Sequence, residues 1–200
     1  MGVIPLISGC VPPTQVMASG ELIRMAGEAD IHRFVGHISE LFQSLSGVDR
    51  ISFAPSGKID EASLHKASLE RWTRGLNEPQ WGRAFLLMDG SDQFVLGHLE
   101  LRGGRTLAEL HRASISMGVL GAMRGRGFGT ALLNNAIDWT KSNRLSWLDL
   151  LVLSSNQAAI KLYEKAGFEK IGYRPDAFRT SDSTFDEILM SLKCPILDIG

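Results

Sequence analysis

Residues 124–130 combine three glycines at alternate positions with two arginines, and this combination can bind an anion. The glycines leave Cβ out of the turn, so backbone N–H groups can close on a ligand without steric conflict. An amphipathic helix follows directly, and its N-terminus presents unpaired N–H groups and the positive end of the helix dipole. The arginines add charged donors whose geometry suits phosphate oxygens. We therefore expect a diphosphate as the ligand.

Glycines in a turn often serve the turn alone, and two nucleotide-binding signatures do not match this segment. The Walker pattern requires a lysine after its last glycine, but Gly129 is followed by Thr130. The dinucleotide pattern G-x-G-x-x-G would require its third glycine at position 130. The segment therefore indicates a ligand other than that of an ordinary mononucleotide or dinucleotide site.

Two blocks of the sequence, within residues 111–178, together resemble the core of the GNAT superfamily of acyl-CoA-dependent N-acyltransferases. The phosphate loop of that family reads Gln/Arg-x-x-Gly-x-Gly/Ala, and residues 124–129 match it at every specified position. The second block, residues 156–168, has the asparagine, the tyrosine and the closing Gly-Phe of another typical segment. One predicted helix and one predicted strand separate the blocks, and a weaker likeness extends over most of residues 21–192.

The resemblance implies an α/β (α+β) fold with a mixed, mostly antiparallel twisted sheet and helices on both faces. It also implies acetyl-CoA as cosubstrate, with the pantetheine arm held between two parallel strands that splay apart. The expected coenzyme contacts are Asn156, the backbone of Met117 and Val119, and the loop. The loop residues are Arg124, Gly125, Arg126, Gly127, Phe128, Gly129 and Thr130.

Acyl transfer to an amine needs a proton acceptor for the amine, a proton donor for the thiolate and an N–H donor for the thioester carbonyl. By resemblance, Tyr163 is the proton donor and the Met117 amide binds the carbonyl. A half-buried tyrosine that only packs its ring is the alternative for Tyr163. Asparagine also favours helix N-caps, so Asn156 can cap its helix and contact the pantetheine arm at once.

The proton acceptor is ambiguous in the sequence. The family often places a glutamate at the start of the strand before the loop, and His111 occupies that place here. An unperturbed pKa of ~6.5 allows an imidazole to accept a proton at neutral pH. Glu109, Glu100 and a water chain are further candidates, and a plain surface position is the alternative for His111. No pattern of residues in the sequence supports a catalytic role for His98 or His32.

Hydrophobic spacing predicts the elements that position these residues. Helices are predicted from residue 28, over 60–74, from the loop to residue 143, and over 157–166. Strands are predicted over 21–25, 83–88, 93–101, 110–119, 147–153, 169–173 and 186–192. Gly118 sits where a β-bulge would be easy, and Gly167 can end the last helix. A meander followed by alternating strands and helices predicts a mixed α/β sandwich.

The 200 residues suit one domain, predicted over residues 20–195, with residues 1–19 as a loosely held arm. A net charge of −1 offers no basic field for nucleic acid. Cys10 and Cys194 are too few for a disulfide framework, and no His, Cys, Asp or Glu cluster has metal-ligand spacing. The arm lacks the features of a signal peptide or membrane span. We expect a cytoplasmic protein without metal, nucleic acid or membrane partners; homodimerisation through the last strands stays open.

These observations predict transfer of an acetyl group from acetyl-CoA to a primary amine, by direct attack in a ternary complex. A catalytically silent acyl-CoA-binding or sensor domain is the alternative, since the proton acceptor is ambiguous. The glycine spacing disfavours a dinucleotide-dependent oxidoreductase. The acceptor is expected to be a small molecule, an amino acid or a protein N-terminus. Its pocket is predicted from residues 53–68, 102–110 and 174–185.

Overall fold

The computed structural model of the protein describes residues 11–47, 49, 53, 57–180 and 183–195. The strands are β1 (Gln15–Val16), β2 (Leu22–Met25), β3 (Gly82–Met88), β4 (Val95–Gly103), β5 (Arg112–Val119), β6 (Trp147–Leu153), β7 (Glu169–Arg179) and β8 (Thr184–Lys193). The α-helices in the described residues are α1 (Ile31–Ser44), α2 (Glu61–Thr73), α3 (Phe128–Ser142) and α4 (Gln157–Lys165).

All eight strands belong to one sheet, in the order β1-β2-β3-β4-β5-β6-β8-β7. β5 and β6 pair in parallel, and the other neighbouring pairs in the described part of the chain are antiparallel. α1 and α2 pack on one face of the sheet, and α3 and α4 pack on the other. The predicted mixed, mostly antiparallel sheet with helices on both faces is confirmed.

Alternation along β3 builds a core on each face of the sheet. Ala84, Leu86 and Met88 pack with the apolar side of α1, whereas Phe85 and Leu87 belong to the larger core under α3 and α4. Side chains on a strand point to opposite faces at successive positions, so a strand buried on both faces must be apolar throughout. The central strands are therefore held rigidly from both sides, and they can position a site at their ends.

Local signals in the sequence set several element ends. The Asp60 carboxylate accepts a hydrogen bond from the Ser63 amide (3.1 Å) and caps α2, which begins one residue later. Gly167 has a φ of 94° and ends α4, as predicted. β7 is longer than the predicted strand, which ended at position 173. The part of β7 beyond position 173 is largely exposed, and its pairing is irregular between Arg174 and Phe178. An exposed strand of this kind has no alternation of apolar residues from which it could be predicted.

Part of the predicted N-terminal arm is attached to the sheet. Gln15 and Val16 pair with β2 at its outer edge. Residues 1–10, which include Cys10, lie outside the described residues, and the loose arm and the domain limits stay predictions. No helix in the described part of the chain is both long enough and apolar enough to cross a membrane.

Gly103 at the end of β4 gives a test of this packing. A Cβ there would lie 2.2 Å from Nε1 of Trp81, whose side chain is fully buried. Overpacking of a core usually costs about 1–3 kcal/mol, so we expect Gly103→Ala to lower the free energy of unfolding by that amount. Urea denaturation measures it. Gly121→Ala is the matched control, because its Cβ would meet nothing within 4 Å. Equal stability of the two variants would contradict the close approach of Trp81.

Candidate functional site

The predicted anion-binding loop connects β5 to α3. Gly125 and Gly127 have φ angles of 76° and 84°, in the left-handed region where glycine carries no steric penalty. Gly127 is also the N-cap of α3, and it has no side chain to bond the helix amides. The first turn of α3 contains no acidic residue. The positive end of the helix dipole is therefore left for a ligand.

Most amides of the loop are unpaired. The Arg124 amide donates to the Gly121 carbonyl (3.2 Å), and the Ala131 amide donates to the Gly127 carbonyl (3.1 Å). Between them, the amides of residues 125–130 donate no hydrogen bond to any other described group. The Arg124 amide is thus bonded within the chain, in contrast to the expectation that it would contact the ligand. The remaining amides are available to an anion.

The two loop arginines are exposed but engaged. Arg124 donates from Nε to the Val119 carbonyl (3.0 Å). Arg126 forms an ion pair with Glu21 (2.9 Å), and its guanidinium lies 4.9 Å from the centre of the Phe128 ring. Hydrogen bonds from Ser19 and from the Glu21 backbone amide, and then the charge of Arg126, keep the pKa of Glu21 below its ordinary value, although desolvation opposes them. A phosphate at the loop would compete with Glu21 for Arg126.

β5 and β6 separate next to the loop, as the resemblance implied. Their parallel pairing ends at Ser114 and Asp149. Arg112 holds the Asp149 carboxylate with two hydrogen bonds (2.9 and 2.7 Å) at the paired end. Beyond this point the strands part, and the gap is lined by Ile115, Ser116, Met117, Gly118, Val119, Leu151, Val152 and Leu153.

The amides of Met117 and Val119 face this gap. The Leu120 amide donates to the Leu96 carbonyl (3.0 Å), which makes these residues a hydrogen-bonded pair of the β4–β5 ladder. In an antiparallel ladder such pairs recur at every second residue. Gly118 therefore bonds to β4, while Met117 and Val119 point their amides to the opposite side, where β6 has separated. This is the orientation that the resemblance requires of a carbonyl-binding and an amide-binding N–H.

Gly118 has a different role from the one predicted. The register between β4 and β5 is regular across His98 and Gly118, so there is no bulge in this pairing. A Cβ at position 118 would lie 2.2 Å from Cδ2 of Leu41 and 2.9 Å from Cε1 of His98. The glycine is therefore required because two side chains lie directly over the strand.

Tyr163 and Asn156 both line the same cleft as the loop. Tyr163 is 8 % exposed, and its ring packs against Phe168 with 5.7 Å between ring centres. Burial raises the pKa of Tyr163 to about 12, so its hydroxyl stays protonated at neutral pH. Asn156 accepts a hydrogen bond from the Ala159 amide (3.1 Å) and caps α4, as predicted.

One cleft of ≈ 760 Å³ joins the loop, the gap and a region under α1. Two of the segments predicted for the acceptor pocket contribute little to the cleft. Residues 102–110 contribute only Arg102, and no described residue of 174–185 lines it. Residues 54–56 and 181–182 of the predicted segments lie outside the described residues. The predicted pocket segments did not include the wall that α1 forms. That wall consists of Phe34, Ile38 and Leu41, and it continues to Leu45 beyond the helix.

The structure separates the three side chains considered as proton acceptors. His111 is exposed just before β5, at the end far from the loop, and it does not line the cleft. Glu109 accepts hydrogen bonds from two amides of its own turn. Glu100 is 2 % exposed and lines the cleft. We therefore do not assign the acceptor role to His111, because the cleft opens only where β5 has parted from β6, several residues further along.

Both oxygens of Glu100 are already bound. Arg102 bonds Oε2 through two nitrogens (2.9 and 2.6 Å), and Arg71 bonds Oε1 (3.3 Å). A second buried carboxylate, Glu187 of β8, also lines the cleft and is paired with Arg174. The acceptor side of the cleft is therefore charged but locally neutralised.

Sequence reasoning also missed a pair of histidines. His98 of β4 and His37 of α1 are 2 % and 3 % exposed, and their Nδ1 and Nε2 atoms lie 3.0 Å apart. His98 lines the cleft. The residues are 61 positions apart. The only signal in the sequence is that His98 shares one side of β4 with Glu100 and Arg102.

Among the described residues, no group of three or more His, Cys, Asp and Glu side chains could hold a metal ion. The chemical groups that line the cleft are backbone amides, charged side chains, the protonated Tyr163 and His98.

Comparison with known sequences identifies relatives of part of the chain. The sequence model of the acetyltransferase (GNAT) family matches residues 51–168. The [ribosomal protein bS18]-alanine N-acetyltransferase of Escherichia coli K12 is 40 % identical over 67 residues, which are 34 % of this chain and 45 % of that protein. The mycothiol acetyltransferase of Renibacterium salmoninarum is 33 % identical over 132 residues, 62 % of this chain and 36 % of that protein. The chain thus spans less than half the length of these curated relatives.

Solved structures share the fold over nearly the whole chain. A GNAT-family acetyltransferase from Streptococcus pneumoniae superposes with a TM-score of 0.73 at 20 % identity, over 86 % of this chain and 99 % of that chain. A putative acetyltransferase from Salmonella typhimurium, determined with its cofactor acetyl-CoA, superposes with a TM-score of 0.70 at 19 % identity. The superposition covers 88 % of this chain and 95 % of that chain. These similarities concern the fold.

Proposed function

The chain belongs to the acetyltransferase (GNAT) family, and from this premise we propose that it transfers an acetyl group from acetyl-CoA to a primary amine within a ternary complex. One observation carries the proposal. Four loop residues whose amides are unpaired line a single cleft together with Met117, Val119 and the protonated Tyr163; the four are Gly125, Gly127, Phe128 and Gly129. A diphosphate, an amide-containing arm and a thioester are the parts of acetyl-CoA that suit these three groups in that order.

The coenzyme would bind along the separated strands. Its pyrophosphate meets the amides of residues 125–130 at the start of α3, and Arg126 exchanges Glu21 for a phosphate oxygen. The pantetheine arm fills the gap between β5 and β6, with the Val119 amide and Asn156 as its polar contacts. The thioester carbonyl then accepts a hydrogen bond from the Met117 amide. This N–H donor stabilises the negative charge that develops on the oxygen in the transition state.

The reaction would proceed by direct attack of the amine on the thioester. A primary amine of pKa ~10 is protonated at neutral pH, so it must lose a proton to solvent before it can attack. The nitrogen lone pair forms the new C–N bond, and the amine must then release a second proton to a base. The C–S bond breaks with its electrons on sulfur. Tyr163 supplies the proton for the departing thiolate, since its raised pKa keeps the hydroxyl protonated.

The acceptor would bind under α1, opposite the coenzyme. Phe34, Ile38 and Leu64 offer an apolar wall, and Asp60 adds a carboxylate that attracts a cationic amine. The names of the sequence relatives describe N-acetylation of an alanine in a ribosomal protein and acetylation of mycothiol. We propose a small molecule, an amino acid or a protein N-terminus as the acceptor, with residues 20–195 as one catalytic domain.

The proposal is tested by mixing the protein with acetyl-CoA and a panel of amines. The panel contains small amines, free amino acids and peptides with a free N-terminal alanine. We expect free thiol to appear only when acetyl-CoA and an acceptor are both present, with a product heavier by one acetyl group. The same peptide with a blocked N-terminus is the matched control. Binding of coenzyme A in calorimetry without turnover on any amine would instead favour the acyl-CoA-binding sensor.

A further inference from the structure

A buried pair of histidines lies beside the predicted reaction centre. His98 on β4 and His37 on α1 meet through Nδ1 and Nε2 at 3.0 Å, and their rings are inclined by 75°. Phe34 packs edge-on against His98 with 5.4 Å between ring centres. The hydrogen bond and the aromatic contact fix the orientation of the His98 ring.

The absence of a side chain at Gly118 brings His98 to the cleft. His98 is the direct cross-strand partner of Gly118, which lies between the two residues whose amides face the gap. Cε1 of His98, the carbon between the two ring nitrogens, is 2.9 Å from the position that a Cβ of residue 118 would take. Among the described residues, hydrogen bonds to the His98 ring are made at Nδ1 only. Nε2 is therefore the nitrogen that can serve a ligand.

We propose that His98 accepts the proton that the amine releases during attack, and that His37 is a positioning residue which fixes its tautomer. The inference rests on the proposed acetyl transfer. As the nitrogen lone pair forms the C–N bond, the N–H proton moves to Nε2 of His98. The C–S bond breaks with its electrons on sulfur, and sulfur takes the Tyr163 proton. Solvent then carries the proton from His98 to the Tyr163 oxygen, which restores both groups.

The surroundings of the pair keep His98 in its accepting form. Burial, then the charges of His37 and Arg102, hold the pKa of His98 well below its ordinary value. Burial also lowers the pKa of His37 to about 4, although the Val95 backbone opposes this shift. Glu100 and Arg71, also near this side of β4, are paired with each other. Asp49, Lys58 and Asp60 line the same cleft as His98. A neutral His98 that donates from Nδ1 to His37 leaves the Nε2 lone pair for the amine.

Glu100 is less suited to the same task. Its two oxygens accept hydrogen bonds from Arg71 and Arg102. A proton on Glu100 would remove the counter-charge of Arg71, whose side chain is mostly buried, and of the half-exposed Arg102. His98 is two cross-strand pairs nearer to the loop end of β5, and its Nε2 is free of hydrogen bonds within the described residues.

The test compares three histidine variants at saturating acetyl-CoA with the acceptor found in the amine panel. We expect His98→Gln to lower kcat by about 100-fold or more, the usual range for loss of a general base, while calorimetry shows coenzyme A affinity within about threefold of the parent. His32→Gln is the matched control, because His32 is an exposed histidine on the same helix as His37. We expect this control to keep the parent rate. A His98→Gln variant that binds coenzyme A and turns over at the parent rate overturns the proposal.

His37→Gln tests the positioning role through a pH profile. The rate of the parent protein falls as pH drops through the pKa of His98, because the protonated imidazole cannot accept a proton. His37 lowers that pKa, so its replacement should raise the pKa and move the acidic limb of kcat to higher pH. If kcat is lower at every pH but its acidic limb stays at the same pH as in the parent protein, the positioning role is contradicted.

NMR on the unmodified protein, labelled with ¹⁵N at histidine, keeps the test independent of turnover and of variant folding. We expect the His98 ring to be neutral at pH 7, with its proton on Nδ1 and a bare Nε2. A charged ring, or a proton on Nε2, overturns the proposal. Absence of turnover with every amine would count against the proposed function, whereas an active enzyme with an Nε2-protonated His98 would count against this inference alone.

Discussion

Tyr163→Phe should lower kcat for acetyl transfer by about 100-fold or more, the range expected when a positioned proton donor is lost. The substitution removes one oxygen and keeps the ring, so packing against Phe168 is preserved. Without the hydroxyl, sulfur must leave as an unprotonated thiolate or take its proton from solvent. Coenzyme A affinity should change little, because the loop and the gap provide its binding groups. Stopped-flow detection of thiol, with calorimetry on the same samples, separates the two effects.

The chain supplies a matched control for this variant. Its other tyrosine, Tyr173, is exposed on β7 and hydrogen-bonded to Asp186, so Tyr173→Phe should keep the parent rate. The pH profile gives a further check. A proton donor works only below its pKa, and burial raises the pKa of Tyr163 to about 12. In the parent protein, deprotonation of Tyr163 should therefore cause no fall in rate between neutral pH and pH ~10. Equal rates for the two phenylalanine variants would remove Tyr163 from the mechanism.

Structural features that depend only on short stretches of sequence could be predicted. The loop at residues 124–130, the Asn156 cap and the end of α4 at Gly167 depend on neighbouring residues alone, and the structure has these local features. The fold could be predicted for the same reason, since two adjacent blocks carry the resemblance. By contrast, the side chains that line the cleft depend on where β5 separates from β6. That point is set by the pairing register, which the sequence of β5 does not contain. His111 lies just before β5, as predicted, but it does not line the cleft.

The histidine pair was beyond sequence reasoning for a similar reason. His37 lies on the apolar side of α1, where its sequence neighbours indicate only a buried position. His98 lies among the charged residues of β4, and its neighbours do not indicate a second histidine either. Only the packing of α1 across the sheet brings the two rings together. Gly118 was noticed, but it was interpreted as a bulge position. The reason for the glycine, close approach of Leu41 and His98, is a tertiary contact. Long-range contacts thus define the acceptor side of the cleft, while local sequence defines the coenzyme side.

The coenzyme side leads to a prediction in which stability and binding change in opposite directions. Thr130 is exposed in the first turn of α3, a turn that has no acidic residue. Thr130→Glu should stabilise the helix by about 0.3–1 kcal/mol, because a negative charge complements the dipole at this end. The same charge repels a pyrophosphate at the loop. Two like charges 4 Å apart near a protein surface repel by up to about 4 kcal/mol, so we expect coenzyme A to bind about 10- to 100-fold more weakly.

Calorimetry with coenzyme A and thermal unfolding of the same samples measure both quantities for Thr130→Glu. Asn134→Glu is the matched control, since this residue is exposed one turn further along α3. The dipole effect falls off beyond the first turn, so the control should gain less stability and lose less affinity. Added salt should narrow the difference in affinity, because screening weakens exposed charges. If Thr130→Glu is stabilised yet binds coenzyme A as tightly as the control, the pyrophosphate does not lie at the start of α3, and the assignment of the loop fails with it.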